Sequence, residues 1–275
     1  MSYTNIIVGC AGFICLGCLS KDFPSTPSGS SNQIPLVQDP LYSAFVPKGY
    51  TLIFNDEFNA KHLDTIKWNY RLGAKITGGY SSVQVKENVF LEKGSLVIKG
   101  IFQDPKQNKQ NTGGGVISKE HFRYGYYESR FKTQAGAFWH SSFWTYNTKN
   151  KTRNTEIDVF ERDSQYDMED GVIKIRQNVI QHSSGKPITL KGSIKLPLNF
   201  DPSAEFHVYG MLWEKEQVKF YVDGKLTNTI SYSPAVHPHD DNAIWLSMIA
   251  RNTAASSTDC LVDYVRYYKH NTKED

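Results

Sequence analysis

Three carboxylates stand within six residues, in Asn154-Thr155-Glu156-Ile157-Asp158-Val159-Phe160-Glu161-Arg162. Ile, Val and Phe are interleaved with them, and β-branched and aromatic spacers favour a strand. On a strand side chains alternate between faces, so Glu156 and Asp158 point the same way. Glu161 lies five positions after Glu156 and in a regular strand would point to the opposite face. One extra residue, a β-bulge, restores the phase and turns Glu161 back beside the other two. Ile157 and either Val159 or Phe160 then face a core. Like charges crowded on one face raise one another's pKa, so a row of three acids needs a compensating purpose. Glycoside hydrolysis supplies one: a nucleophile and an acid/base, roughly 5–5.5 Å apart when configuration is retained. Cα atoms four positions apart on a strand are separated by ~13 Å, a gap that two long Glu side chains and a curved strand can close. A short Asp between them can hold the nucleophile by a hydrogen bond. The competing readings are a solvated strand edge and a metal site. An all-carboxylate metal site usually recruits backbone carbonyls and Asp/Asn loops as well.

The elements that would position such a row are short and β-rich. No heptad, repeat or long amphipathic run occurs among the 275 residues. Runs such as Tyr50–Phe54, Ser95–Ile101, Tyr124–Lys132, Ala137–Tyr146, Ile173–Gln181, Phe206–Trp213, Asn242–Ile249 and Val262–Tyr268 are separated by Gly, Asn, Asp and Lys. Asp223-Gly224 between two of them is a hairpin signal. Many short strands with turn punctuation predict an all-β sandwich or jelly roll. The aromatic content of 13% suits strands and also sugar-stacking surfaces. A net charge of +3 with scattered Lys and Arg offers no basic stripe for nucleic acid.

The N-terminal part reads differently. Ile6 to Leu19 is apolar and small, too short for a spanning helix and of signal-sequence length. Leu16-Gly17-Cys18 resembles the end of a bacterial lipoprotein signal, and a Ser/Pro/Gly-rich tether follows. The expected organisation is a leader over 1–18, a tether over 19–45 and a catalytic domain over 46–270. The expected location is outside the cytoplasm, as an outer-membrane or periplasmic lipoprotein held only through a lipid on Cys18, or else secreted. Three of the four cysteines, Cys10, Cys15 and Cys18, lie in the leader, so the body holds Cys260 alone, as a small buried residue.

The body resembles glycoside hydrolase family 16, the laminarinases, lichenases, agarases, porphyranases and κ-carrageenases. The resemblance runs from about Tyr50 to Lys269. It is carried by Phe54-Asn55-Asp56-Glu57-Phe58, Leu63-Asp64-Thr65-Ile66-Lys67-Trp68, Gly113-Gly114-Gly115-Val116-Ile117-Ser118, Tyr124 to Glu128, Trp139 to Trp144, the acidic stretch, Phe206 to Gly210 and Val262 to Arg266. It implies a β-jelly roll of two curved antiparallel sheets with an open concave cleft. It also implies double displacement without a metal, with Glu156 as nucleophile, Asp158 as its assistant and Glu161 as acid/base. The same resemblance places Trp139 and Trp144 at sugar subsites and His182 beside the acid/base, and offers Asp263, with Asp56 or Glu57, as a structural calcium site. Arg130 and Glu128 share a strand face and either enter the cleft or pair with each other. Trp245 is a sugar platform or a core filler, and Tyr80 sits in a loop that could rim the cleft.

The extra bulge residue argues against the lichenase branch. The remaining substrates are a neutral β-glucan and a β-galactan such as agar, porphyran or carrageenan, cut endo, with β-glucan ahead. Sulfated galactans would call for cleft cations; Arg153, Arg162, Lys149 and Lys151 lie near the acidic strand. The competing functions are a non-catalytic glycan-binding protein, which would be expected to have lost one of the acids, and a transglycosylase, which would keep them. The expected partner is a polysaccharide, bound by a monomer.

Overall fold

The computed structural model describes residues 43–272 except 76–77, 105, 107–109, 148, 150–153, 165–170, 183–186, 234–238, 252–253 and 255. The leader, most of the tether, Cys18, Lys151 and Arg153 lie outside the described residues. In chain order the strands are β1 (Tyr50–Asp56), β2 (Trp68–Tyr70), β3 (Gly73–Lys75), β4 (Ser82–Gln84), β5 (Val89–Glu92) and β6 (Ser95–Gly100). Next come β7 (Asn111–Phe122), β8 (Gly125–Lys132), β9 (Trp139–Tyr146), β10 (Asn154–Asp163), β11 (Lys174–His182) and β12 (Ile188–Thr189). The last are β13 (Ile194–Pro197), β14 (His207–Trp213), β15 (Gln217–Val222), β16 (Lys225–Ser231), β17 (Asn242–Ala250) and β18 (Thr258–His270).

These strands form two sheets. One has the order β16-β15-β14-β8-β18-β6-β5 with β1 on β18, and the other β12-β11-β10-β9-β17-β7-β4-β3 with β13 on β11 and β2 on β7. All pairings are antiparallel except β4 with β7. The acidic strand β10 sits well inside the second sheet, between β9 and β11. The two-sheet sandwich expected from turn spacing and β-rich runs is the fold observed. Asp223 and Gly224 both take positive φ, 48° and 74°, and close the β15–β16 hairpin, as the Asp-Gly signal predicts.

The core lies between the sheets and is aromatic. Trp68, Trp139, Trp213, Phe131, Phe143, Phe160 and Tyr209 are each at most 1% exposed; such a side chain contributes about 1.5–3 kcal/mol by leaving water. Cys260 is a free, buried thiol of this core. Trp139 is among these core residues, which corrects its placement in the cleft. The reason is strand phase. Trp139 and Trp144 are five apart, and β9 pairs with β17 without a register shift, so the two point to opposite faces. Trp139 lies where a Cβ on Gly100 would come within 2.5 Å of its ring, and its Nε1 donates to the Ser256 carbonyl.

Arg130 and Asp263 also need correction. Arg130 is on β8, in the other sheet from β10. Its Nη1 meets Asp263 Oδ2 at 2.6 Å, and its guanidinium lies over Phe206. Period-two alternation says that one face of a strand is wet but not which sheet owns it. The other candidate calcium ligands are engaged as well: Asp56 accepts from Trp68 Nε1 and Phe58 N–H, and Glu57 pairs with Arg266. Among the described residues no group of three His, Cys, Asp or Glu could hold a metal ion. Each of these three carboxylates is thus already held by a protein partner.

Candidate active site

Strand β10 carries the predicted bulge. Against β11, Asp158 faces Asn178 and Glu161 faces Arg176, three steps matched by two. Against β9, Asp158 faces Trp144 and Phe160 faces Phe143, two steps matched by one. Val159 and Phe160 are both completely buried with Ile157; the extra residue therefore enters the core rather than replacing one of the pair. Glu156, Asp158 and Glu161 consequently line one cavity of 180 Å³ together with Arg71, Tyr80, His140 and Trp144.

Each acid has its own environment. The Glu156 Oε2 lies 2.7 Å from His182 Nε2. Asp158 is 2% exposed; burial, followed by the charges of Glu161 and Glu156, pushes its carboxyl well above the usual range. A protonated Asp158 relieves the repulsion between its neighbours and gains a hydrogen to donate. Glu161 is held from both adjoining strands. Asn178 Nδ2 donates to its Oε2 at 2.8 Å and also reaches Asp158 Oδ2 at 3.2 Å. Arg176 Nε lies 3.3 Å from the same Oε2, and His140 Nε2 lies 3.5 Å from Oε1. His182 thus sits beside Glu156 and not beside Glu161. Its backbone pairs with Asn154, near the start of β10, which puts it at the wrong end of the row to reach the acid/base.

A second cavity of 240 Å³ adjoins the first and shares Arg71, Lys75 and Trp144 with it. Trp144 and Trp245 form its aromatic wall, with ring centroids 4.6 Å apart and planes at 31°. Trp245 is therefore a half-exposed cleft residue. Tyr80 lies at the other side of the acids, edge-on to His140 at 5.3 Å with Arg251 over its ring. The guanidinium of Arg71 lies over both Trp144 and Trp245, at 5.7 and 5.6 Å. Its Nη1 is buried and, among the described residues, has no hydrogen-bond partner. Burial lowers its pKa to about 10, against the pull of Tyr80 and Glu156, so it stays charged at neutral pH.

Arg71, Lys75, Arg176 and Asn178 were not among the residues expected from sequence. Two of them had a usable signal: counting back by two from His182 along β11 gives Asn178 and Arg176, the face that β11 turns away from the core. Arg71 and Lys75 come from the short β2–β3 segment, which has no readable period. Arg162 is not a cleft cation; it is buried on the opposite face and donates to Thr133 and to the Gln134 carbonyl. Lys149 lines a separate cavity with His121 and Arg123.

Comparison with known proteins decides what this geometry belongs to. The family model of the GH16 domain of β-porphyranases A–D matches residues 52–270. The chain belongs to glycoside hydrolase family 16. Within the family, it is 32% identical over 225 residues to β-porphyranase B of Phocaeicola plebeius, covering 67% of this chain and 70% of that protein. It is 31% identical over 267 residues to glucan endo-1,3-β-glucosidase A1 of Niallia circulans, spanning 80% of this chain and 38% of the length of that protein. The catalytic domain of an endo-1,3-β-glucanase (laminarinase) from Thermotoga petrophila superposes with a TM-score of 0.63 at 22% identity, over 81% of this chain and 99% of that one, which supports the jelly-roll fold. Membership makes the chain a glycoside hydrolase of polysaccharides, and the family needs no cofactor for catalysis.

Proposed function

We propose that the chain is an endo-acting, retaining hydrolase of a sulfated β-galactan. Glu156 attacks the anomeric carbon while Glu161 gives its proton to the departing glycosidic oxygen. Glu161, now a carboxylate, takes a proton from water, and the resulting hydroxide equivalent displaces Glu156 from the sugar. His182 Nε2 holds Glu156 in place at 2.7 Å, and neutral Asp158 separates the two glutamates. Arg176 and Asn178 receive the charge that appears on Glu161 after the first step. The two adjoining cavities, one lined by the acids and the other by Trp144 and Trp245, give a long chain more than one place to bind.

Arg71 carries the substrate assignment. A guanidinium that lies over two cleft tryptophans and lines both cavities is suited to a sulfate ester on a sugar stacked at that wall. Lys75, lining both cavities, adds a second cation. Similarity to β-porphyranases B and E and to a κ-carrageenase supports the same choice. This reverses the order read from the sequence, where β-glucan stood ahead and no cleft cation had been located. The second reading, a β-1,3-glucanase, is favoured by the similarity to glucan endo-1,3-β-glucosidase A1.

A reducing-end assay on porphyran, agarose, κ-carrageenan, laminarin and mixed-linkage glucan, with wild type and Arg71→Met, separates the two. On a sulfated galactan, Arg71→Met is expected to lose about 10- to 100-fold in kcat/KM, the range of a charged hydrogen bond, and to lose little on the desulfated polymer. Preferred turnover of laminarin, insensitive to Arg71, would establish the glucanase reading instead.

The proposal extends to a monomeric lipoprotein anchored at Cys18, supported by the leader and the tether. Cys18→Ser is expected to release the protein from the membrane fraction, and unchanged membrane association would remove the anchor.

A further inference from the structure

A fourth carboxylate continues the row. Asp163 follows Glu161 by two positions and so shares its face of β10. Its side chain is 1% exposed, and three basic groups among the described residues surround it. Its Oδ1 accepts from Arg251 Nε at 2.7 Å and lies 3.2 Å from His140 Nδ1. Its Oδ2 meets Arg176 Nη2 at 2.6 Å and also Arg251 Nη2. Burial acts against the charge, but His140, Arg251 and Arg176 outweigh it and hold the carboxyl well below the usual range. Two of those partners turn their other ends to Glu161. Arg176 Nε is 3.3 Å from Oε2, and His140 Nε2 is 3.5 Å from Oε1. Arg251 is bound to Asp163 and lies over Tyr80 at 4.0 Å.

An ionised carboxylate only accepts hydrogen bonds, so Asp163 fixes the His140 proton on Nδ1. With Nδ1 taken by Asp163, the ring turns Nε2 toward Glu161, where a neutral imidazole can accept the hydrogen of a protonated Glu161, the form that donates to a leaving oxygen. Arg176 acts in the opposite sense, because a lone guanidinium would draw the proton off Glu161. Sharing Arg176 with Asp163 weakens that pull. The other groups facing Glu161 are Glu156 and Asp158 on its own strand, Asn178 on β11, and Tyr80, Arg71 and Lys75 across the cavity.

We propose that Asp163 is a positioning residue of the acid/base: it sets the tautomer of His140 and restrains Arg176, so that Glu161 keeps its proton until the glycosidic oxygen takes it. This rests on the reading of Glu161 as acid/base. In Asp163→Asn, kcat on the polysaccharide is expected to fall by about tenfold or more, a fraction of what general acid catalysis supplies. KM should stay within about twofold, since no group that binds substrate is removed. A dinitrophenyl glycoside of the same oligosaccharide needs no acid for its first step and should lose less than about threefold in kcat/KM, which does not read the second step. With one negative charge gone and two guanidiniums left behind, the alkaline limb of the kcat/KM profile should move to lower pH. Arg251→Gln removes a cation from Asp163 without touching Glu161 and should move that limb to higher pH. It also gives a reading if Asp163→Asn fails to fold. Glu161→Gln is the control. If it lowers kcat/KM equally on both substrates, the acid/base reading itself fails. If it spares the aryl glycoside while Asp163→Asn harms both equally, or if the alkaline limb of either folded variant stays in place, the role of Asp163 alone is overturned.

Discussion

The two sheets each hold a buried acid next to arginine, and they use it oppositely. On β10, Asp163 is buried among Arg176, Arg251 and His140, and two of those reach an acid that opens into a cavity. On β8 of the other sheet, Glu128 is fully buried with Arg266 Nη1 3.9 Å away, and Arg266 is itself claimed by Glu57 in a bidentate pair. Burial pushes the Glu128 carboxyl up to about 7, against the pull of Ser43 and Arg266. One acid is therefore charged because its partners face it, and the other tends to neutrality because its partner looks elsewhere. Burial alone does not make a functional carboxylate; the direction in which its basic neighbours spend their remaining hydrogens does.

Substitutions can break this contrast at several levels. The largest effect is expected for Glu156→Ala, with hydrolysis reduced on the order of 10⁴-fold, as for loss of a nucleophile elsewhere, while glycan binding and the thermal midpoint are kept. Retained turnover above a few per cent would remove Glu156 from that role. The next concerns the two tryptophans on β9. Trp139→Ala should cost about 3–5 kcal/mol of stability in denaturant titration. Trp144→Ala should leave the midpoint nearly in place and weaken substrate affinity by ~1–2 kcal/mol, the worth of a lost ring contact. The opposite ranking would mean the two faces of β9 are exchanged.

The smallest effect lies in the other sheet. The folded-state pKa of Glu128 is above its unfolded value, so the folded chain retains a proton there. Stability is then greatest below the ordinary carboxyl range and falls as pH rises from about 4.5 through about 7. Glu128→Gln should be more stable than wild type at pH 8, by on the order of 1–3 kcal/mol, show no gain at pH 4, and hydrolyse polysaccharide normally. A gain that does not depend on pH would refute the buried-proton account.

What could be read from the chain follows from period and parity. The acidic strand was legible because its apolar and acidic residues alternate, and the phase error at Glu161 itself demanded a bulge. Applied to Trp139 and Trp144, the same count gives opposite faces; the family resemblance had drawn both to the cleft. Applied beyond Glu161, it reaches Asp163. Arg130 was misplaced because alternation does not name the sheet. His182 was assigned to the wrong glutamate because antiparallel register decides which end of β10 it meets. Arg71 and Lys75 stayed hidden because β2 and β3 are three residues each and borrow their stability from β7 and β4, which leaves no local signature.

Arg162 gives the bulge a further meaning. It is buried on the side of β10 away from the cleft, tied to Thr133 and to the Gln134 carbonyl. A β10 one residue shorter at Val159 or Phe160 would need no bulge, because Glu161 would stand four positions after Glu156 and share its face by simple alternation. A strand of the present length forced to run without the bulge would instead swap the faces of everything after Phe160, swinging the guanidinium toward the sugar and driving Glu161 and Asp163 into a space lined by Phe131 and Tyr209. Losing the bulge without losing a residue is therefore not a graded injury but an inversion, and Arg162 is the latch that makes the inverted strand too expensive to adopt.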